Sequence, residues 1–369
     1  MGAQPTTTPR LSPTDRLKRR VKTLGLRVLS ASGATRLVAR RYGGRGVILM
    51  FHDFTPDPKA DLDQGCRSAD FERILKDLRR SGRDIVTMDE ALQRLEDPQA
   101  RPFAVLTFDD GYRSNIDIAL PMLERHHAPA TIFVPTEMMT RTINAWWLGL
   151  KHLFLDNDHV EIEPMGVRFA CPDRAAKTAA LRRATAWVWE DFHRAEMLGP
   201  TFARHGVSLP DIVEAQAIDE AEMVEIDRHP LVEIGAHTTT HRALALLDAE
   251  SVRRDIVDNK TYLEDRLGRD VGHFAYPYGA PSISGRREAE IVRSAGFRSA
   301  VTTTAGCLFP SHLDERFLLP RQNGEYTDDS AAYTACGVNG LFRAIATRGG
   351  DPVAVGAGPY RFASTGARG

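Results

Sequence analysis

Between residues 47 and 321, short apolar runs alternate with stretches of helical spacing, and this alternation limits the chain to a few folds. Residues 47–51 are an apolar run bounded by Gly46 and Asp53, which reads as a strand buried on both faces. Ser68 is placed to cap a helix that shows Phe71, Ile74, Leu75 and Leu78 on one side and stops at Gly82. Strands are expected at 84–88, 104–108 and 130–134, with helices at 90–95 and 116–126 between them. The alternation resumes with a strand at 231–236 and a helix at 249–267 ended by Gly268. A strand at 274–276, a helix at 286–295 ended by Gly296, and strands at 299–303 and 318–321 complete it. Repeated strand–helix units imply a mostly parallel sheet with right-handed crossovers. The class is α/β, and about seven units favour closure into a distorted (β/α) barrel over an open sheet.

Outside this frame the pattern changes. Residues 137–228 break the alternation and hold Trp146-Trp147, a helical run at 174–193 and a short acidic helix at 219–226, so they read as a helical insertion on one face of a domain spanning 46–346. Residues 1–15 are rich in Thr, Pro and Gln, and residues 347–369 in Gly, Ala and Ser; both are expected to be disordered. Residues 16–45 are basic, with Leu17, Val21, Leu24, Leu26, Val28 and Leu29 interleaved. This extension reads as a helix packed on the domain with a solvated basic face; contact with an anionic membrane surface is the alternative. No internal repeat is present.

The chain's 369 residues carry a formal charge of −1, so bulk charge does not point to nucleic acid. No run of about 18 apolar residues is present to span a membrane, and the start lacks a secretion-signal pattern, which suggests a cytoplasmic protein or one at the inner membrane surface. Cys66, Cys171, Cys307 and Cys336 form no C-x-x-C pair and no disulfide framework.

Two constellations carry chemistry. Thr107-Phe-Asp-Asp-Gly-Tyr112 ends an expected strand, which puts Asp109 and Asp110 at the mouth of a barrel. Taken alone, Asp-Gly is also a common turn. His237-Thr-Thr-Thr-His241 follows another expected strand, and two imidazoles four residues apart can share a metal ion, though loop histidines share that spacing. Together, one Asp and two His make a three-ligand set with an open position, as a catalytic metal requires. A second Asp beside it can serve as general base.

At this point the chain resembles the polysaccharide deacetylase family, the NodB-homology group of carbohydrate esterases. The two stretches above match its first two motifs, and Phe274-Ala-Tyr-Pro-Tyr-Gly279 is similar to the third. The likeness runs from about Val47 to Arg321 and includes Pro129-Ala-Thr-Ile-Phe-Val134. It implies a distorted barrel and a hydrolase that releases acetate from N-acetylated sugars of a polysaccharide or its precursor. It further implies a divalent metal, usually zinc, on Asp110, His237 and His241, with Asp109 as general base. The metal and the backbone N–H of Tyr278 would stabilise the oxyanion. Trp146, Trp147, Tyr112 and Pro277 stand as substrate contacts, with core packing the alternative for the tryptophans.

The sequence departs from the family in three places. The Arg that often opens the third motif is replaced by Ala275, and Arg321 is the candidate to supply a guanidinium instead. The late Leu-x-x-His has no clean copy: His312 is displaced, and His52, at the end of the first strand, is the preferred acid or substrate contact. The fourth motif is not recognisable near Val301. An esterase or amidase on another acylated substrate, and a glycan-binding homologue without catalysis, are the alternative functions.

Overall fold

The computed structural model describes residues 6–8, 13–56, 62, 65–326 and 329–353. Seven parallel strands form its centre: β1 (Gly46–Phe51), β2 (Phe103–Asp109), β3 (Ala130–Val134), β4 (Val232–Ala236), β5 (His273–Ala275), β6 (Ser299–Val301) and β7 (Gln322–Asn323). They lie in the order β6-β5-β4-β3-β2-β1-β7, and a short flanking strand, Asp84–Ile85, pairs with the start of β2. β1, β2 and β3 are buried at every position, as strands covered on both faces by crossover helices must be.

The segment before β7 closes the ring. Leu319 exchanges hydrogen bonds with β6 through Ala300 (3.0 Å) and Thr302 (2.9 Å). A few residues on, Gln322 and Asn323 pair with Leu49 and Met50 of β1. One short stretch therefore ties both edges of the sheet, and the fold is a distorted (β/α) barrel. Residues 318–321 do not form the expected strand; they make a single bridge at Leu319, and the strand proper starts at Gln322.

Four phenylalanines fill the wall behind β1 and β2. Phe51, Phe54, Phe71 and Phe108 pair with ring centroids 4.7–6.0 Å apart, mostly edge to face, and all are buried. Gly235 in β4 lets the Phe133 ring lie across the strand; a Cβ there would stand 2.5 Å from the ring. The helix Ala249–Leu267 starts at an Asp248 cap and stops at Gly268, which takes the left-handed conformation (φ 66°) at the end as expected.

Some elements differ from expectation. The strand at 84–88 is only two residues long, because Thr87 caps a helix that begins at Met88. The helix at 116–126 opens as a π-turn, Asn115–Ala119, before Leu120–Arg125. Pro121 has no N–H to give the Asp117 carbonyl, and the backbone widens just ahead of it. The insertion is not wholly helical: His159–Ile162 and Val167–Ala170 form an antiparallel hairpin, with Thr6–Thr7 added alongside. It has its own apolar core around Leu150, Phe154, Phe169 and Leu181.

At the N-terminal side, α1 (Pro13–Ser32) and α2 (Thr35–Tyr42) are helices, so regular structure begins inside the stretch read as disordered. α1 packs on the helix Ser330–Gly337 and buries Thr23 and Leu26. Of the expected C-terminal tail, residues 347–353 hold to the body, with the Tyr42 hydroxyl donating to the Gly350 carbonyl at 2.6 Å. Residues 1–5, 9–12 and 354–369 lie outside the described residues. All four thiols are free and buried. No described helix is long and apolar enough to cross a membrane.

Candidate active site

The carboxyl ends of the strands converge on a cavity of about 530 Å³. His52 follows β1, Asp109 ends β2, His237 follows β4, and Tyr278 and Thr303 come just after β5 and β6; all five line it. Parallel strands point their carbonyl ends to one side of a barrel, so residues far apart in sequence meet there.

The loops that carry these groups are bent into unusual backbone. Among the described residues seven non-glycine positions have positive φ; Asp110 (73°), His241 (53°) and Tyr278 (61°) line this cavity, and Thr238 (64°) lies in the loop between the lining residues His237 and His241. Such conformations persist only where the surroundings hold them. The hold on the His237–His241 loop comes from the helix Ala249–Leu267. Asp255 Oδ1 accepts the N–H groups of Thr239 (3.0 Å) and Thr240 (2.9 Å). One turn on, Asn259 accepts from the His237 N–H at 2.9 Å and donates to the Val134 carbonyl and the Thr136 hydroxyl.

Asp110, His237 and His241 offer three ligand atoms within 4.8 Å of one another, all on buried residues. Asp110 Oδ1 lies 3.4 Å from His237 Nε2 and 3.2 Å from His241 Nε2, yet it is buried without a hydrogen-bond partner. His237 explains why. Its Nδ1–H donates to the Ala275 carbonyl at 2.6 Å, which leaves the Nε2 lone pair facing Asp110. Burial lowers the His241 pKa and keeps that imidazole neutral despite Asp110. A carboxylate and imidazole lone pairs aimed at one point are donors that fit a divalent cation, and a carbonyl behind one imidazole is a common second partner in metal sites.

Asp109 is held from behind. Arg321, fully buried, donates from Nη1 and Nη2 to Asp109 Oδ1 and Oδ2 at 2.7 Å each. Its Nε donates to the Thr302 carbonyl at 2.9 Å and Nη1 also to the Thr107 hydroxyl at 3.2 Å. Burial would raise the Asp109 pKa; the Arg321 guanidinium outweighs it and the carboxyl is held low. Arg321 thus supplies to Asp109 the guanidinium that Ala275 cannot.

His52 sits across the mouth. Its Nε2 is 4.0 Å from Asp109 Oδ2, and its Nδ1 is 3.1 Å from Glu325 Oε2. The other Glu325 oxygen accepts the His52 N–H at 2.5 Å. Burial lowers the imidazole's pKa, but Glu325, with smaller help from Asp109 and Asp110, overcomes it and raises it to about 10. Glu325 gave no sign in the sequence, since it lies past a two-residue strand.

The tryptophans divide the remaining wall. Trp146 is buried, donates to the Tyr278 hydroxyl at 2.8 Å and belongs to the core of the insertion while still lining the cavity. Trp147 donates to the Tyr112 hydroxyl at 2.8 Å and packs 4.7 Å from the His241 ring. Trp189, on the insertion's long helix, also lines the cavity and is 42% exposed; sequence reading passed over it. Pro277 is buried and is not part of the cavity wall, and His312 lies elsewhere, with its Nδ1 accepting from the Phe309 N–H.

Comparison with known proteins agrees with this picture. The family described as "Polysaccharide deacetylase" matches residues 96–300, more than half the chain. Among solved structures, the chain is similar to Streptococcus pyogenes deacetylase PplD in complex with acetate. The identity is 17% and the TM-score 0.53, covering 79% of this chain and 97% of that one. It is also similar to IcaB from Ammonifex degensii, with 19% identity and a TM-score of 0.50, covering 81% and 98%. At these identities the structures speak for the fold alone. No curated protein matches.

Proposed function

The chain belongs to the polysaccharide deacetylase family, hydrolases of non-peptide carbon–nitrogen bonds, and from that premise we propose that it removes acetyl groups from N-acetylated sugars of a polysaccharide or its precursor. The observation that carries this reading is the buried, unsatisfied Asp110 Oδ1 between two imidazoles, with the Arg321-held Asp109 next to it.

Asp110, His237 and His241 would hold a divalent cation, with zinc our choice for a set of one carboxylate and two imidazoles. When bound, such an ion polarises the acetamide carbonyl and lowers the pKa of water toward about 7. Asp109 takes a proton from the attacking water, and Arg321 keeps both its oxygens in place. The Tyr278 backbone N–H stabilises the developing oxyanion. His52, kept protonated by Glu325, gives a proton to the departing amine as the carbon–nitrogen bond breaks. Acetate and a free amino sugar result.

Trp147, Tyr112 and Trp189 are the cavity's candidates for sugar contact. Trp146, sequestered in the insertion's core, acts through Tyr278.

The test is acetate release from N-acetylglucosamine oligomers by protein dialysed against chelator and reloaded with zinc or other divalent ions, beside a panel of acetyl esters. Release from acetamides that depends on added metal supports the reading. Turnover of esters alone moves the activity to another acylated substrate, and metal binding without any turnover removes the enzyme assignment.

A further inference from the structure

The outer face of α1 is built as an amphipathic surface, and among the described residues it stands exposed. Leu17, Val21, Leu24 and Val28 are each between 57% and 63% exposed. Their spacing of four, three and four places them within an arc of about 60° on a helix of 3.6 residues per turn. That arc points away from the body, since Thr23 and Leu26, which are buried, lie on the opposite side. Two further exposed aliphatics, Leu37 on α2 and Ile345 on the helix that packs against α2, lie in the same region. Scattered apolar side chains need no explanation, but an aligned stripe with neighbours does.

Charge decides what covers it. From Arg16 to His52 the sequence holds ten Lys or Arg and no Asp or Glu, in a chain whose overall balance is −1. Lys18 and Arg20 are exposed and flank the stripe on its two sides, and Arg36 and Arg40 are exposed on α2. A second copy of this chain would set the same cations against one another. A nucleic acid would use the cations and leave the leucines in water. A surface that takes aliphatic side chains between rows of cations is an anionic lipid bilayer.

We propose that α1 docks the protein on anionic membrane, with Leu17, Val21, Leu24 and Val28 entering the acyl boundary and Lys18 and Arg20 meeting headgroups. The position has a consequence. Lys22 Nζ lies 4.8 Å over the Tyr326 ring, and Tyr326 lines the catalytic cavity. The docking helix α1 therefore lies directly against a residue of the cavity's wall. The docking itself does not depend on the deacetylase reading.

The experiment is flotation of the full chain with vesicles of phosphatidylcholine alone or with phosphatidylglycerol added. We expect binding only to the anionic vesicles, weakened by salt. Leu17→Glu/Leu24→Glu should bind at least about tenfold more weakly, and Lys18→Glu/Arg20→Glu about fivefold more weakly for each cation lost. These side chains are exposed, so thermal unfolding and turnover of a soluble substrate should not change. Absence of binding to anionic vesicles, or equal binding by the leucine variant, overturns the proposal. So does a wild-type dimer seen by light scattering that the leucine variant breaks, because the face would then belong to a second copy.

Discussion

Arg321 and Asp109, 212 residues apart, form a buried two-pronged ion pair: two 2.7 Å hydrogen bonds between side chains 0% and 4% exposed. The pair stands beside the cation site, not in it, so its work is to fix a carboxylate that must take and return a proton. A buried pair is costly to break because one charge is left behind. Arg321→Met should therefore lower stability by about 3–5 kcal/mol and remove most turnover. Adding Asp109→Asn to it should return part of the stability and none of the activity. Urea unfolding of the wild type and both variants checks this, and a double variant no more stable than Arg321→Met alone refutes it.

Asp109→Asn by itself separates base from ligand. The amide keeps the shape and one acceptor but cannot take a proton. Metal stoichiometry should stay at the wild-type value while kcat falls by about 10²–10⁴. Elemental analysis and acetate release measure the two. Loss of metal in this variant would show that Asp109, not only Asp110, is a ligand.

Glu325 faces His52 with both oxygens. Its charge favours protonated imidazole, and the raised pKa of about 10 keeps His52 an acid across neutral pH. A group raised in this way loses its proton only when pH climbs through the raised value, so it governs the alkaline side of a pH–rate profile. Glu325→Gln removes the charge and keeps the shape. The alkaline limb should move to lower pH and the acid limb stay where it is. An alkaline limb that does not move means that His52 is not the acid.

Asn259 acts on the cation site at one remove, through the His237 N–H and the loop after β3. Asn259→Ala frees the His237 backbone while leaving all three ligands in the chain. Metal affinity should fall about 10–100-fold, the range for losing such a support. Competition with a chelating dye measures it. An unchanged affinity, with only a lower melting temperature, would make Asn259 a matter of stability alone.

How much of this could be read beforehand depended on where each residue's signal lay. Asp109, Asp110, His237 and His241 announce themselves because each pair sits in a short motif directly after an apolar run, and an apolar run fixes a strand end. Arg321 could be named only as a charge in search of a partner; its aim depends on Leu319 and Gln322 joining the two sheet edges. Asp255 and Asn259 were hidden for a different reason. On a helix, polar residues four apart look like a solvated face, and only the packing of that helix against the loop turns them inward. Glu325 follows a two-residue strand with no pattern to detect. The hairpin in the insertion was lost because four-residue strands between helices carry little periodicity.

His312 offers a test of the fold that involves no chemistry at the cavity. The side chain is buried, and its Nδ1 accepts the Phe309 N–H at 2.9 Å. Burial pushes its pKa down to about 4. At neutral pH the imidazole is uncharged in both folded and unfolded chains and costs nothing. As pH falls below the ordinary value of 6.5, the unfolded chain takes up a proton that the folded one refuses until about 4. Stability should therefore decline between about pH 6.5 and 4 through this residue, by up to about 3 kcal/mol, and stop declining on its account below that. His312→Gln cannot take up the proton. The gap in stability between variant and wild type, followed by denaturant unfolding from pH 7 to 4, should shift in the variant's favour as pH falls. A gap that stays constant over that range would mean that the folded protein protonates His312 as readily as the unfolded chain does.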